Sequence, residues 1–183
     1  MIIGLDISTS CTGWCVIDNS GSFIDMGYIP LSSYKSTYVK ARKVADELTQ
    51  LHITYDIERV FIEENLQAFR PGLSSAKTLL TLARFNGIVS YLAQQEFYCE
   101  PLHINVNAAR KSVGLKIISK KKGGKPTKEQ VLDWVTSKVN YTWPTKILKS
   151  GPRKGQNVLE LGCFDMADAY VISLAGSTMN SAQ

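Results

Sequence analysis

Wound as a helix, the segment from Asp165 to Ala175 is apolar on nearly every side, yet it carries two aspartates, Asp165 and Asp168, one turn apart. A helix without a polar face is stable only where other elements cover it, so the chain must build layers around this segment. At 183 residues it is long enough for one well-buried core and too short for two full-sized domains enclosing a cleft. We read a single domain over residues 1–183, with basic loops near 114–127 and 145–156 and a short flexible tail from Gly176.

The N-terminal part reads as strands. Met1 to Asp6 is apolar and rich in isoleucine, Ser8 to Gly13 forms a small polar turn, and Trp14 to Ile17 is a second apolar run. A turn at Asn19-Ser20-Gly21-Ser22 and a strand over Ser22–Tyr28 complete a three-stranded meander. Val44, Ala45, Leu48 and Leu51 recur at helical intervals within Tyr38–Leu51, and Arg59–Glu63 is a short apolar strand ending in acid. Asn65–Ser75, with Arg70-Pro71-Gly72, is a loop. Lys77–Gln95 reads as a long helix in which Gly87 permits close packing. His103–Val106 reads as a strand, and Thr127–Asn140 as a helix capped by Thr127. The stretches Gly114–Thr127 and Trp143–Gln156, rich in Gly, Pro and Lys, read as loops.

Charge narrows the class of partner. The net charge is +5, and Arg110–Lys154 holds 13 Lys or Arg against only Glu129 and Asp133. Cations in such density suit a polyanion, whose phosphates release condensed counterions when they are neutralised; a solvated surface is the alternative. Arg110, Lys111, Lys116, Lys120, Lys121, Lys122, Lys125 and Lys128 are the candidate DNA contacts, with Arg70 in the earlier loop. No long uncharged apolar run and no basic-flanked leader occurs, so we expect an intracellular, cytoplasmic protein without membrane contact. Cys11, Cys15, Cys99 and Cys163 lack a paired spacing and read as reduced, packed thiols.

Asp6 lies within Ile2-Ile3-Gly4-Leu5-Asp6-Ile7, and Glu63 ends Val60-Phe61-Ile62. With Asp165 and Asp168 they make four acids embedded in apolar sequence, where an unpaired carboxylate is costly. Hard oxygen donors in this number suit Mg²⁺, with Mn²⁺ able to substitute, and two such ions could activate water for phosphodiester hydrolysis. A helix cap at Asp165 and buried ion pairs at Asp6 and Glu63 are the alternatives. Glu64 competes with Glu63, because alternation along a strand turns only one of them inward.

The run from Ile2 to Trp14, with Asp6 before a small-residue turn and Thr12-Gly13-Trp14, resembles the first hairpin of the RuvC family of Holliday junction resolvases. Val60-Phe61-Ile62-Glu63-Glu64 resembles that family's second acidic motif, and Asp165-Met166-Ala167-Asp168-Ala169 its closing helix. The resemblance implies a ribonuclease H-like α/β fold, a five-stranded mixed sheet flanked by helices on both faces. It implies a Mg²⁺-dependent endonuclease acting on four-way or otherwise branched DNA, with Asp6, Glu63, Asp165 and Asp168 as catalytic metal ligands for two ions. It further implies that Lys111 and Lys128 contact the scissile phosphate, that Phe69 wedges into the junction centre, and that the helix following Ala76 joins two copies in a homodimer. Gly114–Thr127 and Thr145–Gly155 are longer and richer in lysine than the family pattern, and the turn is Ser-Thr-Ser rather than Pro-Gly-Ser, which points to a phage, viral or organellar branch.

Two other classes compete. Gly4-Leu5-Asp6-Ile7-Ser8-Thr9-Ser10 also resembles the first phosphate motif of actin-like sugar kinases, though no second phosphate loop follows. A branched-DNA-binding protein without catalysis is expected if the acids are structural.

Overall fold

The computed structural model describes residues 1–64 and 76–179. Phe69, Arg70 and the expected loop at 65–75 lie outside the described residues. The elements run β1 (Ile2–Ile7), β2 (Cys11–Ile17), β3 (Phe23–Pro30), α1 (Thr37–Thr54), β4 (Arg59–Glu63), α2 (Ala76–Phe97), β5 (Leu102–Ile104), α3 (Val106–Ser112), α4 (Thr127–Thr136), β6 (Thr145–Ile147), β7 (Asn157–Leu159) and α5 (Gly162–Ser177).

Five strands form one mixed sheet in the order β3-β2-β1-β4-β5. β1, β2 and β3 pair antiparallel, whereas β4 pairs parallel with β1 and β5 parallel with β4. Alternation along each strand feeds two separate cores. Ile3, Leu5, Ile7, Val60 and Ile62 point into a core completed by α1 and α2. Ile2, Cys15, Ile17 and Phe61 point into the other, completed by α3, α4 and α5. The sheet is therefore covered by helices on both faces, as the resemblance implies.

The apolar helix α5 lies on the sheet almost without a gap. A Cβ at Gly4 would stand 2.4 Å from the Ala169 carbonyl oxygen, and one at Gly13 2.2 Å from the Asp165 carbonyl. At the far end a Cβ at Gly176 would meet the Phe61 ring at 2.3 Å. Gly4 and Gly13 sit on β1 and β2 beneath the helix, and Gly13 pairs directly with Asp6. Two missing side chains thus allow the helix backbone to cross immediately beside the end of β1.

Several expected elements have different bounds. α5 begins at Gly162, three residues before Asp165, and continues to Ser177, so Gly176 and Ser177 are helical and packed rather than part of a tail. Its N-cap is Leu161, and Asp165 lies inside the first turn; a capping role for Asp165 is excluded. Thr127 is the first residue of α4 and not its cap, since Pro126 occupies that place. Val106 opens the short helix α3 instead of ending a strand, because the Asn105 side chain accepts hydrogen bonds from the backbone N–H of Asn107 and Ala108.

Neither basic stretch is featureless. In the first, Lys120–Lys122 form a 3₁₀ turn. The Gln130 side chain accepts from the Ile118 N–H at 2.8 Å and donates to the Ile118 and Lys125 carbonyls. The second contains the antiparallel pair β6–β7. Gly87, expected to permit close packing, is exposed, with no described atom within 4 Å of a Cβ placed there.

These two glycine environments predict opposite outcomes in denaturant unfolding. Gly4→Ala must push the α5 backbone off the sheet and should lower stability by about 1–3 kcal/mol or more. Gly87→Ala removes helix-interior glycine entropy and should raise it by roughly 0.5–1 kcal/mol. A neutral Gly4→Ala would show that the helix does not rest on β1.

Candidate active site

Asp6 lies near the carboxyl end of β1 and Glu63 at the end of β4, its parallel neighbour, where Leu5 is in register with Ile62. Glu63 follows Phe61 by two residues and so shares its face toward α5; Glu64 belongs to the other face. The strand alternation therefore selects Glu63, as the sequence motif does. Asp165 and Asp168 descend from the first turns of α5 onto the same spot. All four acids line one open cleft of ≈ 900 Å³.

Asp168 is only 5 % exposed and is bound by Arg110, whose Nη2 donates to Oδ1 at 3.0 Å. Lys128 Nζ stands 3.7 Å from Asp165 Oδ1. Arg110, grouped by sequence with the DNA contacts, is thus turned inward from α3, and its Nε is buried with no hydrogen-bond partner among the described residues. The cause lies in α3 itself: Ala109 packs into the core beside α5, which brings the next residue against Asp168.

Four carboxylates close together retain protons more strongly than free ones. Asp6 is raised well above the usual carboxylate range, first by burial and then by Glu63, Asp168 and Asp165, with Lys128 in partial opposition. Glu63 is pushed up to about 6 by burial and Asp168, while Arg110 and a hydrogen bond with Asp6 oppose the shift. Burial also raises Asp165, against the Cys11 thiol and Lys128. Among the described residues no three His, Cys, Asp or Glu side chains are gathered as the ligands of one ion, and two of the four acids face cations instead. The donor set nonetheless fits a hard divalent cation: oxygen ligands only, with negative charge that Arg110 and Lys128 do not fully compensate.

Other expected residues are distributed more widely. Lys128 lines the acid cleft. Lys111 and Lys116 line a smaller depression beside it, which shares Arg110. Lys120, Lys121 and Lys122 are exposed on their own turn, and Lys125 is paired with Asp133 at 2.7 Å. All four cysteines are free, and Cys15 and Cys163 are core residues as expected. Cys11 is not: it borders the acids in the cleft, and burial and the nearby Asp165 carboxylate suppress its ionisation.

Tyr28, Lys146 and Glu160 also line the cleft, and no sequence motif marks them as site residues. The Tyr28 hydroxyl donates to Glu160 Oε2 at 2.5 Å. The contact joins β3 to the start of α5 across 132 residues, a separation that no local pattern reveals.

The raised carboxylates fix a sign for stability. Each holds a proton in the folded state that it would release near pH 4 when unfolded. Their stabilising contribution is therefore complete below about pH 4 and is lost as pH rises through the folded values, which for Glu63 is about 6. In EDTA the protein should unfold at lower temperature near pH 7.5 than near pH 5, and Asp6→Asn should raise the melting temperature near pH 7.5 by removing one repelling charge. A less stable Asp6→Asn protein under those conditions would refute the repulsion.

No family model matches the chain. Its sequence is 28% identical over 144 residues to the crossover junction endodeoxyribonuclease RuvC of Aliarcobacter butzleri (strain RM4018), covering 76% of this chain and 83% of that protein. Among solved structures, Thermus thermophilus RuvC in complex with Holliday junction substrate superposes with a TM-score of 0.60 at 14% identity, covering 95% of this chain and 90% of that one. A second Thermus thermophilus RuvC structure gives 0.57 at 18% identity, over 95% and 91% of the two chains. The yeast mitochondrial Holliday junction resolvase Ydc2 gives 0.53 at 16% identity, over 96% and 77%. In its mixed five-stranded sheet with helices on both faces, the chain shares the fold of these RuvC and Ydc2 structures.

Proposed function

We propose that the protein is a Holliday junction resolvase, a structure-selective endonuclease that cuts phosphodiester bonds at four-way or branched DNA. The observation that carries this reading is the convergence of Asp6, Glu63, Asp165 and Asp168 from β1, β4 and α5 in one cleft whose surroundings are basic. The RuvC relative is named for crossover-junction cleavage, and the Thermus protein is seen with a junction. An actin-like kinase is not favoured, since the described residues form one such sheet and one acid cleft. ATP turnover without nuclease activity would restore it.

Asp6, Glu63, Asp165 and Asp168 would hold Mg²⁺, with Mn²⁺ as a substitute and two ions per site. When bound there, the ions would supply Lewis acidity to activate water and to stabilise charge at the leaving oxygen. The chain's own groups do the remaining work. Arg110 holds the buried Asp168 in a fixed rotamer, and Lys128, 62 % exposed at its side chain, reaches the scissile phosphate from beside Asp165. Lys111 and Lys116 receive the strand in the adjoining depression, while Lys120–Lys122 contact phosphates further along. A homodimer joined through α2 would match the twofold symmetry of a four-way junction, with Phe69 at its centre. No helix among the described residues is long and apolar enough to cross a membrane.

Two measurements test this function. Asp6→Asn should abolish cleavage of a synthetic four-way junction in Mg²⁺ and leave gel-shift binding intact; full cleavage would remove Asp6 from the site. Replacing Lys120, Lys121 and Lys122 by glutamine should weaken junction binding and flatten the log–log salt dependence by about 0.9 for each phosphate that is no longer neutralised. A slope equal to that of the unaltered protein would place those lysines off the DNA.

A further inference from the structure

The hairpin β6–β7 carries cations that the site described above does not use. From Thr145 to Leu159 it contains Lys146, Lys149, Arg153 and Lys154 and no acid. All four are exposed, and among the described residues none makes an ion pair. Lys125 and Lys128, by contrast, each face a nearby carboxylate.

The hairpin is a formed arm with a fixed base. Lys146 is in register with Val158, and the ladder is extended by Leu148 N–H donating to the Gln156 carbonyl and Gly155 N–H donating to that of Leu148. Gly151 and Gly155 take φ of +79° and +86°, which only glycine adopts freely, and they turn the chain at the tip. At the base, Glu160 N–H and the Cys163 thiol both donate to the Pro144 carbonyl, tying the arm to the first turn of the helix that bears Asp165. Lys146 itself lines the acid cleft. It shares that cleft with Asp6, Glu63, Glu160, Asp165 and Asp168, yet is bonded to none of them.

A cation held beside five carboxylates without pairing is available to an anion entering from outside. The other three continue the positive charge from the cleft to the tip. The stretch from Lys146 to Gly151 spans roughly 16 Å at strand rise, several nucleotides of a DNA strand at about 3.4 Å each. We infer that β6–β7 is a second DNA-gripping arm: Lys146 contacts a phosphate within the cleft, next to the bond being cut, and Lys149, Arg153 and Lys154 bind successive phosphates of the strand leaving the site. This rests on the nuclease reading above and extends it to four residues that neither the motifs nor the relatives assign.

Two variants test the arm on four-way junction and linear duplex DNA. In the first, Lys149, Arg153 and Lys154 are all changed to glutamine; these side chains are exposed, and an unchanged circular dichroism melt checks that the fold is kept. The log–log salt slope for binding should flatten by roughly 2–3, at about 0.9 per phosphate, and the Asp6→Asn background should show the same change. In the second, Lys146→Gln should slow single-turnover junction cleavage at saturating protein about tenfold or more, with Lys146→Arg recovering most of the rate. An unchanged slope in the triple variant, or an unchanged rate in Lys146→Gln, overturns the corresponding half of the inference. If the unaltered protein binds DNA but never cuts junctions, the resolvase reading falls while the salt slope still decides the arm; if it binds no DNA, both fall.

Discussion

The direct contact between α5 and the sheet is the constraint on which the active-site geometry depends. Helix backbone crosses over Gly4 and Gly13 at distances that leave no space for a Cβ, and Gly13 is the cross-strand partner of Asp6. With bulkier residues at these positions the helix would stand further off, and Asp165 and Asp168 would be lifted away from the ends of β1 and β4. Close packing and the gathering of the four acids therefore have one cause. The helix tolerates this approach because it is apolar on nearly all sides: Met166, Ala167, Ala169, Val171 and Ile172 are all buried.

The same packing creates an electrostatic conflict that the surroundings only partly resolve. Bringing four carboxylates together raises Asp6, Glu63 and Asp165, because burial and mutual repulsion both disfavour their charged forms. Arg110 offsets part of this at Glu63, and Lys128 part at Asp6, Glu63 and Asp165. The charge left uncompensated is what would favour a bound cation under the proposed function, since complete ion pairing would leave no reason for a metal to enter. DNA poses the opposite requirement, because its phosphates would be repelled by the same acids. The proposed functions would be separated in space, with the acids lining the cleft and the lysines on the surrounding turns and on β6–β7.

Much of this is legible in the order of the residues. Asp6, Glu63, Asp165 and Asp168 stand out as charges in apolar runs, but alternation says only that one of Glu63 and Glu64 turns inward, and it is the motif resemblance that prefers Glu63. The meander, the long helices α1 and α2, and the buried character of α5 follow from apolar periodicity. The short elements do not. α3 is seven residues long, too few for a period of 3.6 to show, and it depends on a cap from Asn105. The strands of β6–β7 are three residues each and mostly exposed, so they carry no alternating apolar signal. Thr127 is of a residue type that suits a cap, but the preceding proline holds that position.

The sequence by itself determined the order of the main elements and the four acids, because these depend on residue type and local period, while the two-sided core was implied only by the family resemblance. Tertiary structure alone decided how those acids are balanced. That Arg110 turns inward to Asp168, that Cys11 lines the cleft beside Asp165, that Tyr28 reaches Glu160 and that Lys146 stands in the cleft with no ion pair among the described residues are all consequences of distances between residues remote in the chain. A positive residue in a basic tract has the same sequence signature whether it faces a phosphate or a buried carboxylate. Only packing distinguishes the two, because the choice depends on what the neighbouring elements bring within reach.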